Sequence, residues 1–285
     1  IPSGDDHNGG RITFAPDGKI YLTLGELRHN QGKNASKKNE AQRLPTAKEI
    51  QSGNYDADVG KVLRTNPDGT IPEDNPILNG VKSHIFTYGH RNPQGIVVVG
   101  NKIFSSEHGP SSDDELNLLV SGGNYGWPYV AGFQDNQSYK FIDWSTAPKD
   151  AAVDPNVPDP RVKVQLESDW KAPENYKDPI KTFYTVREGY NYHDGDAYGD
   201  ISYVEWPTVA PSSINYYANG PMKGWENSIL MTTLKAGTLF RIKLNNQKDN
   251  VQGEIATFFH TPNRYRDIAV SPDGNTFYIL TDSEG

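Results

Sequence analysis

Three stretches of this chain, Gly10–Leu24, Gly95–Ser105 and Arg266–Leu280, repeat one local grammar. Each is an alternating or apolar run, then a tight Pro-Asp-Gly or Gly-Asn turn, then a second run rich in β-branched and aromatic residues. Such units read as β-hairpins. Their recurrence along one chain predicts the blades of a β-propeller, an all-β fold of four-stranded antiparallel sheets.

The loops leading into those hairpins hold Asp6-His-Asn-Gly-Gly10, His90-Arg-Asn-Pro-Gln94 and Asn263-Arg-Tyr-Arg266. Equivalent loops of a propeller lie at the same end of the central channel. The repeat therefore predicts that His7, Arg91, Asn92, Arg264 and Arg266 converge, although about 260 residues separate the first from the last. Further strands are expected at 61–64, 84–88, 201–204, 228–232 and 238–244. Thr46 and Glu49 form a capping-box pattern and Gly53 a stop, which predicts a short helix over 46–52. The polar, proline-rich stretch 134–200 reads as a long insertion with little regular structure inside one domain spanning 1–285.

With 285 residues, 27 Gly, 20 Pro and 11% aromatics, the chain suits many short strands better than a helical bundle. Its 28 Lys and Arg against 36 Asp and Glu leave a net charge of −8, which argues against a nucleic-acid surface. Without cysteine there is neither a disulfide framework nor a thiolate metal site. No apolar run approaches the roughly 18 residues of a membrane span. Ile1 opens the chain with no leader and Ser283–Gly285 follow a strand directly, so both ends read as cut from a longer, processed protein.

Several residues have the chemistry of a site. His7 could accept a proton near neutral pH, with Glu26 at the far end of the same hairpin to hold the imidazolium. On spacing alone, a turn histidine without a role is the simpler account. Arg91 and Asn92 offer planar and amide donors for a carbonyl or carboxylate, or equally a capped turn with a surface ion pair. Lys235, Arg264 and Arg266 would gather three cations at one channel mouth, which on an acidic protein calls for an anion. Each alone reads as a solvated charge. The run Ser111–Glu115 supplies hard oxygen ligands of the kind Ca²⁺ favours, or simply a solvated acidic loop.

Four strings carry a resemblance: Tyr88–Gly95 (YGHRNPQG), Glu107–Glu115 with Gly122–Pro128 (EHGPSSDDE, GGNYGWP), Trp206–Ser213 (WPTVAPSS) and Asn263–Asp267 (NRYRD). In this order and spacing the chain resembles the soluble quinoprotein glucose (aldose sugar) dehydrogenases, which use pyrroloquinoline quinone (PQQ) and calcium, and it does so over almost its whole length. The resemblance implies a six-bladed propeller, of which this chain would supply roughly four blades, without the family's N-terminal part and closing strand. It implies oxidation of an aldose to its lactone, with His7 as base, Glu26 as its partner where the family has Asp, and Arg91 polarising the quinone carbonyl.

The resemblance further implies PQQ contacts from Arg91, Asn92, Gln94, Thr208, Lys235, Arg264 and Arg266. Sugar contacts fall on Asp6, Gln31, Tyr203 and Trp206. A calcium ion would be held by the carbonyls of Gly109 and Pro110, beside His108 in place of the family's Gln. A second calcium-binding set would comprise Asp114, Glu115, Tyr125, Ala131, Phe133, Asp135 and Glu167, near a homodimer interface. A periplasmic or secreted location and an unidentified electron acceptor are also implied. Two other readings stay open at this point: a calcium-stabilised propeller that binds a ligand or protein without catalysis, and a propeller lactone hydrolase.

Overall fold

The computed structural model describes residues 2–153, 158–192, 206–235 and 237–282. Three four-stranded antiparallel sheets follow one another along the chain, each a meander in which sequence neighbours pair. The first comprises Gly9–Phe14, Ile20–Leu24, Lys61–Thr65 and Ile85–Tyr88. The second comprises Pro93–Val99, Lys102–Glu107, Asp114–Leu119 and Lys181–Phe183. The third comprises Pro211–Tyr217, Ser228–Thr233, Leu239–Lys243 and Ala256–Phe258. The hairpin Tyr265–Val270 and Phe277–Thr281 follows as a two-stranded sheet. The described residues thus hold three four-stranded sheets and this hairpin, with two further two-stranded pairs, Ile77–Leu78 with Val81–Lys82 and Lys140–Ile142 with Val164–Leu166.

All three hairpins read from the sequence form. In the first, Ala15 N–H donates to Lys19 O at 2.9 Å across the Pro-Asp-Gly turn, and Gly18 takes the left-handed conformation the turn demands (φ 77°). Pro67–Gly69 repeats this turn, but it leads from Lys61–Thr65 into an irregular stretch rather than a partner strand. The expected helix forms at Ala47–Ser52, with the Thr46–Glu49 capping box closed in both directions and Gly53 left-handed at its end. Expected strands at 61–64, 84–88, 228–232 and 238–244 form within a residue or two. The one expected at 201–204 lies outside the described residues.

The opening strands of successive sheets, Gly9–Phe14, Pro93–Val99, Pro211–Tyr217 and Tyr265–Val270, pack side by side in that order. The sheets therefore face one another, and a core layer lies between each pair. Tyr21, Val62, Phe86, Ile96 and Ile103 fill the layer between the first and second sheets. Phe104, Leu116, Phe183, Ile229 and Met231 fill the next, and Tyr217, Leu230, Leu239 and Ile268 the one after. Alternate side chains of a strand point to opposite faces. A sheet with core on both sides is accordingly buried at every position, as along Ser228–Thr233. In the first sheet and the last hairpin, the strands Gly9–Phe14 and Phe277–Thr281 instead alternate, leaving Phe14 and Leu280 exposed.

The stretch 134–200 is less irregular than its composition suggests. Lys140–Ile142 pairs with Val164–Leu166, and Lys181–Phe183 completes the second sheet by pairing with Asp114–Leu116. Phe183 is fully buried there, so this strand is read from its partner sheet rather than from its own polar surroundings.

Candidate active site

The loops that open the first and second sheets are locked together by backbone contacts. Gly25 N–H donates to Asn8 O, Leu27 N–H to His7 O, and Glu26 N–H to Arg91 O. Gly25 has no room for a side chain, because a Cβ there would lie 1.9 Å from the His7 carbonyl oxygen. His7 itself sits in the left-handed region (φ 47°), with its N–H held by the Asp6 carboxylate at 2.8 Å.

This geometry delivers the His7 ring to Glu26, with Nδ1 and Oε1 2.6 Å apart. Glu26 is fully buried, and its other oxygen accepts from Asn39 Nδ2 at 3.1 Å. Burial raises the Glu26 carboxyl to about 8, against the opposing pull of Arg91. Burial also lowers the His7 imidazole well below its ordinary value, and the Arg91, His108 and Arg28 charges add to that. The pair therefore holds one proton between Nδ1 and Oε1 at neutral pH. While Glu26 is uncharged the neutral ring carries its own hydrogen on Nε2; when Glu26 ionises, Nδ1 keeps the shared proton and Nε2, which carries no hydrogen bond among the described residues, becomes an acceptor.

Arg91 lies beside this dyad. Gln31 bridges the two, accepting from Arg91 Nη2 at 2.9 Å and reaching Glu26 Oε1 at 3.5 Å. Arg91 Nη1 donates to His108 O at 3.2 Å, and the guanidinium lies 5.4 Å from the Trp127 ring centroid. Arg91 Nε is buried without a partner among the described residues. Glu107 fixes the backbone here: its carboxylate accepts from Arg91 N–H and meets His90 Nδ1 at 2.8 Å, while His90 Nε2 meets Thr87 Oγ1. Glu107 and His90 both lie in the strings that carry the resemblance but were given no role there, although a carboxylate at a strand end beside an Arg-Asn loop was a usable signal.

Asn92 Oδ1 accepts from Gly9 N–H at 3.1 Å and from Gln94 Nε2 at 2.9 Å, tying the first two sheets together. Asp6 pairs with Arg28 at 2.9 Å. Lys235 Nζ donates to Trp206 O and reaches Thr208 Oγ1 at 3.5 Å, which places Thr208 and Trp206 with it at the head of the third sheet. Trp206 packs against Tyr192, an aromatic neighbour the sequence reading passed over. Tyr203 lies outside the described residues.

Arg264 and Arg266 are not the unpaired cations that their spacing suggested. Both meet Asp282, the residue just past the strand Phe277–Thr281, at 3.1 Å from Arg264 Nε to the nearer oxygen. Two guanidinium groups on one carboxylate still leave a net positive charge, which His108 feels: burial first, then Arg91, Arg266 and Arg264, lower its imidazole to about 4. His7, Arg91, His108 and the two arginines thus share one electrostatic neighbourhood.

The expected calcium ligands divide into two groups. The loop at Gly109–Pro110 is tightly folded, since a Cβ at Gly109 would lie 1.9 Å from Ser112 O. Asp114 fastens this loop to the third sheet: its carboxylate accepts from the N–H groups of Gly109, Val209 and Ala210 at 2.9, 2.7 and 2.8 Å. Burial nevertheless raises Asp114 to about 7. Farther out, Glu167 gathers the 131–136 loop, accepting from the N–H groups of Ala131, Asp135 and Asn136, and burial raises it to about 7. Glu115 accepts from Gly132 N–H at 2.8 Å, and burial with the nearby Glu107 charge pushes it well above its ordinary value. Phe133 is partly exposed, whereas Tyr125 is buried with its hydroxyl on Leu118 O at 2.6 Å. Among the described residues no three His, Asp or Glu side chains converge as metal ligands.

A profile of the glucose/sorbosone dehydrogenase family matches residues 2–156 and 171–285, and the chain belongs to that family. It is 47% identical to quinoprotein glucose dehydrogenase B of Acinetobacter calcoaceticus, across 100% of this chain and 61% of that protein. It is 27% identical to aldose sugar dehydrogenase YliI of Escherichia coli, across 98% of this chain and 58% of the relative. Among solved structures, the PQQ-bound form of an aldose sugar dehydrogenase from Streptomyces coelicolor superposes with a TM-score of 0.61 at 25% identity, over 100% of this chain and 61% of that one. The chain thus spans about three fifths of the length of these relatives.

Proposed function

We propose that this chain carries the catalytic loops of a quinoprotein dehydrogenase that oxidises the anomeric carbon of glucose or another aldose to the lactone, with PQQ as hydride acceptor. The observation that carries this reading is the juxtaposition of a one-proton His7–Glu26 dyad with the Arg91 guanidinium, bridged by Gln31. With Glu26 ionised and accepting from Nδ1–H, His7 Nε2 takes the hydroxyl proton as hydride leaves the same carbon, and the Glu26 carboxylate stabilises the imidazolium that forms. Arg91 places fixed positive charge beside the reacting atoms without reorganisation.

The residues present fit a planar tricarboxylate. Arg91 Nε is buried and unpartnered among the described residues, and Arg264, Arg266 and Lys235 add positive charge on an otherwise acidic protein. Asn92, Gln94 and Thr208 would line the same cofactor. When bound, PQQ supplies the hydride-accepting carbon, and a Ca²⁺ on the Gly109 and Pro110 carbonyls supplies Lewis acidity. Finer parts of the reading rest on the relatives: a six-bladed ring, sugar contacts from Asp6, Gln31, Tyr203 and Trp206, and a periplasmic or secreted site of action. Further calcium on Glu115, Asp135 and Glu167 beside a homodimer contact belongs with them. Buried carboxylates raised toward neutrality would regain their charge beside a cation, which favours such ions.

The test is reconstitution of the full-length protein with PQQ and Ca²⁺, followed by dye reduction against a panel of aldoses. Turnover that requires both additions is expected. Lactone hydrolysis indifferent to PQQ would replace this reading with that of a lactonase.

A further inference from the structure

Lys61 is a lysine with no exposed surface, in the middle of a sheet, and the chemistry above makes no use of it. Its strand pairs with Ile20–Leu24, placing Lys61 opposite Leu24, one residue before Gly25. A buried ammonium is costly unless its donors are all satisfied. Here they are: Nζ donates to the carbonyls of Glu40, Ala41 and Val59 at 3.1, 2.8 and 2.7 Å. Three backbone carbonyls converging on one cation is the arrangement a bound metal would have, supplied here by a side chain. What Lys61 holds in place is the turn Asn39–Gln42.

That turn touches both halves of the site. Asn39 Oδ1 accepts from Ala41 N–H at 3.0 Å, which aims Asn39 Nδ2 at Glu26 Oε2, 3.1 Å away. Gln42 Nε2 donates to Trp127 O at 2.8 Å and to Asn124 Oδ1 at 2.9 Å, and Asn124 returns a bond to Gln42 Oε1. Trp127 is the ring over which Arg91 lies. Ala41 is fully buried against Trp127, so the turn cannot shift without moving that ring.

We propose that Lys61 is a positioning residue for the reaction: by clamping the 39–42 turn, it sets the Glu26 carboxylate through Asn39 and the Arg91 guanidinium through Gln42 and Trp127. The assignment of a catalytic consequence rests on the dehydrogenase reading, but the clamp itself does not. Small displacements of orienting groups cost turnover steeply, so loss of the clamp is expected to lower kcat roughly ten- to a hundredfold.

The experiment uses full-length protein labelled with ¹⁵N-histidine and free of cofactor, in which the shared His7 Nδ1 proton gives a far-downfield resonance. Lys61→Met, which keeps the length and removes the charge, is expected to move that resonance upfield and broaden it. Asn39→Ala should reproduce the shift, and the double variant should add nothing to it. An unchanged resonance in Lys61→Met, or additive shifts in the double variant, would overturn the proposal. Should Lys61→Met not fold, Asn39→Ala carries the test: a shifted resonance supports the coupling of the turn to the dyad, and an unchanged one overturns it. Because the signal is read without PQQ or sugar, failure of the dehydrogenase assay and failure of the clamp are separate results.

Discussion

The imidazole of His7 and the carboxylate of Glu26 meet at 2.6 Å across the two ends of one hairpin, and burial drives both toward their uncharged forms. A single proton shared between two such groups gives an unusual pH dependence. Between pH 4.5 and 6.5, the ordinary values of the two groups, the folded pair and the unfolded pair each hold one proton, so their contribution to stability is flat. Above 6.5 the unfolded chain releases that proton while the folded pair keeps it until about 8, so stability falls as pH rises. Below 4.5 the unfolded chain gains a second proton and stability falls again.

Glu26→Gln isolates this effect. The stability of the wild type minus that of the variant should fall steadily from pH 4.5 to about 8, read by denaturant unfolding across that range. A flat or rising difference would show that Glu26 is ionised in the folded state throughout.

Gly25→Ala tests the close approach that delivers the His7 ring. A methyl group would stand 1.9 Å from the His7 carbonyl oxygen, so the loop must move. The expected cost is about 1–3 kcal/mol in unfolding free energy. Turnover should fall by more than that loss of stability explains, while PQQ affinity stays within a few-fold. Unaltered turnover would mean that the loop relaxes without displacing the ring.

Asp114 is expected to matter first for the architecture. Alanine there would strand three backbone N–H groups, the buried one of Val209 and the part-buried ones of Gly109 and Ala210, at a cost on the order of 3 kcal/mol. Asp114→Asn keeps an acceptor oxygen and should lose markedly less. Equal losses in urea unfolding would show that the charge, and not the acceptors, holds the two loops.

How much of this was legible beforehand follows from how local each signal is. The Pro-Asp-Gly turns and the Thr46–Glu49 cap act within a few residues, and they form where the sequence places them. The loop convergence was legible because a repeat makes distant loops equivalent: the first two loops do meet, with Gly9 N–H on Asn92 Oδ1 and the Arg91 charge acting on His7. Pairings made across sheets carry no such sign. Asp282 neutralises part of the Arg264–Arg266 charge from just past the neighbouring strand, and Lys61 reads as an ordinary outward-facing lysine until the 39–42 turn folds over it. Likewise Lys181–Phe183 is too short and polar-flanked to announce a strand, and forms because the edge at Asp114–Leu116 needs a partner.

The most direct measurement is made on His7→Ala in the reconstituted full-length protein, with dye reduction and PQQ affinity taken from the same sample. Loss of a general base should lower kcat by roughly 10²–10⁴-fold while the PQQ Kd changes less than about threefold. Equal loss of turnover and cofactor affinity, or full activity in the variant, would contradict the assignment of His7 as the base.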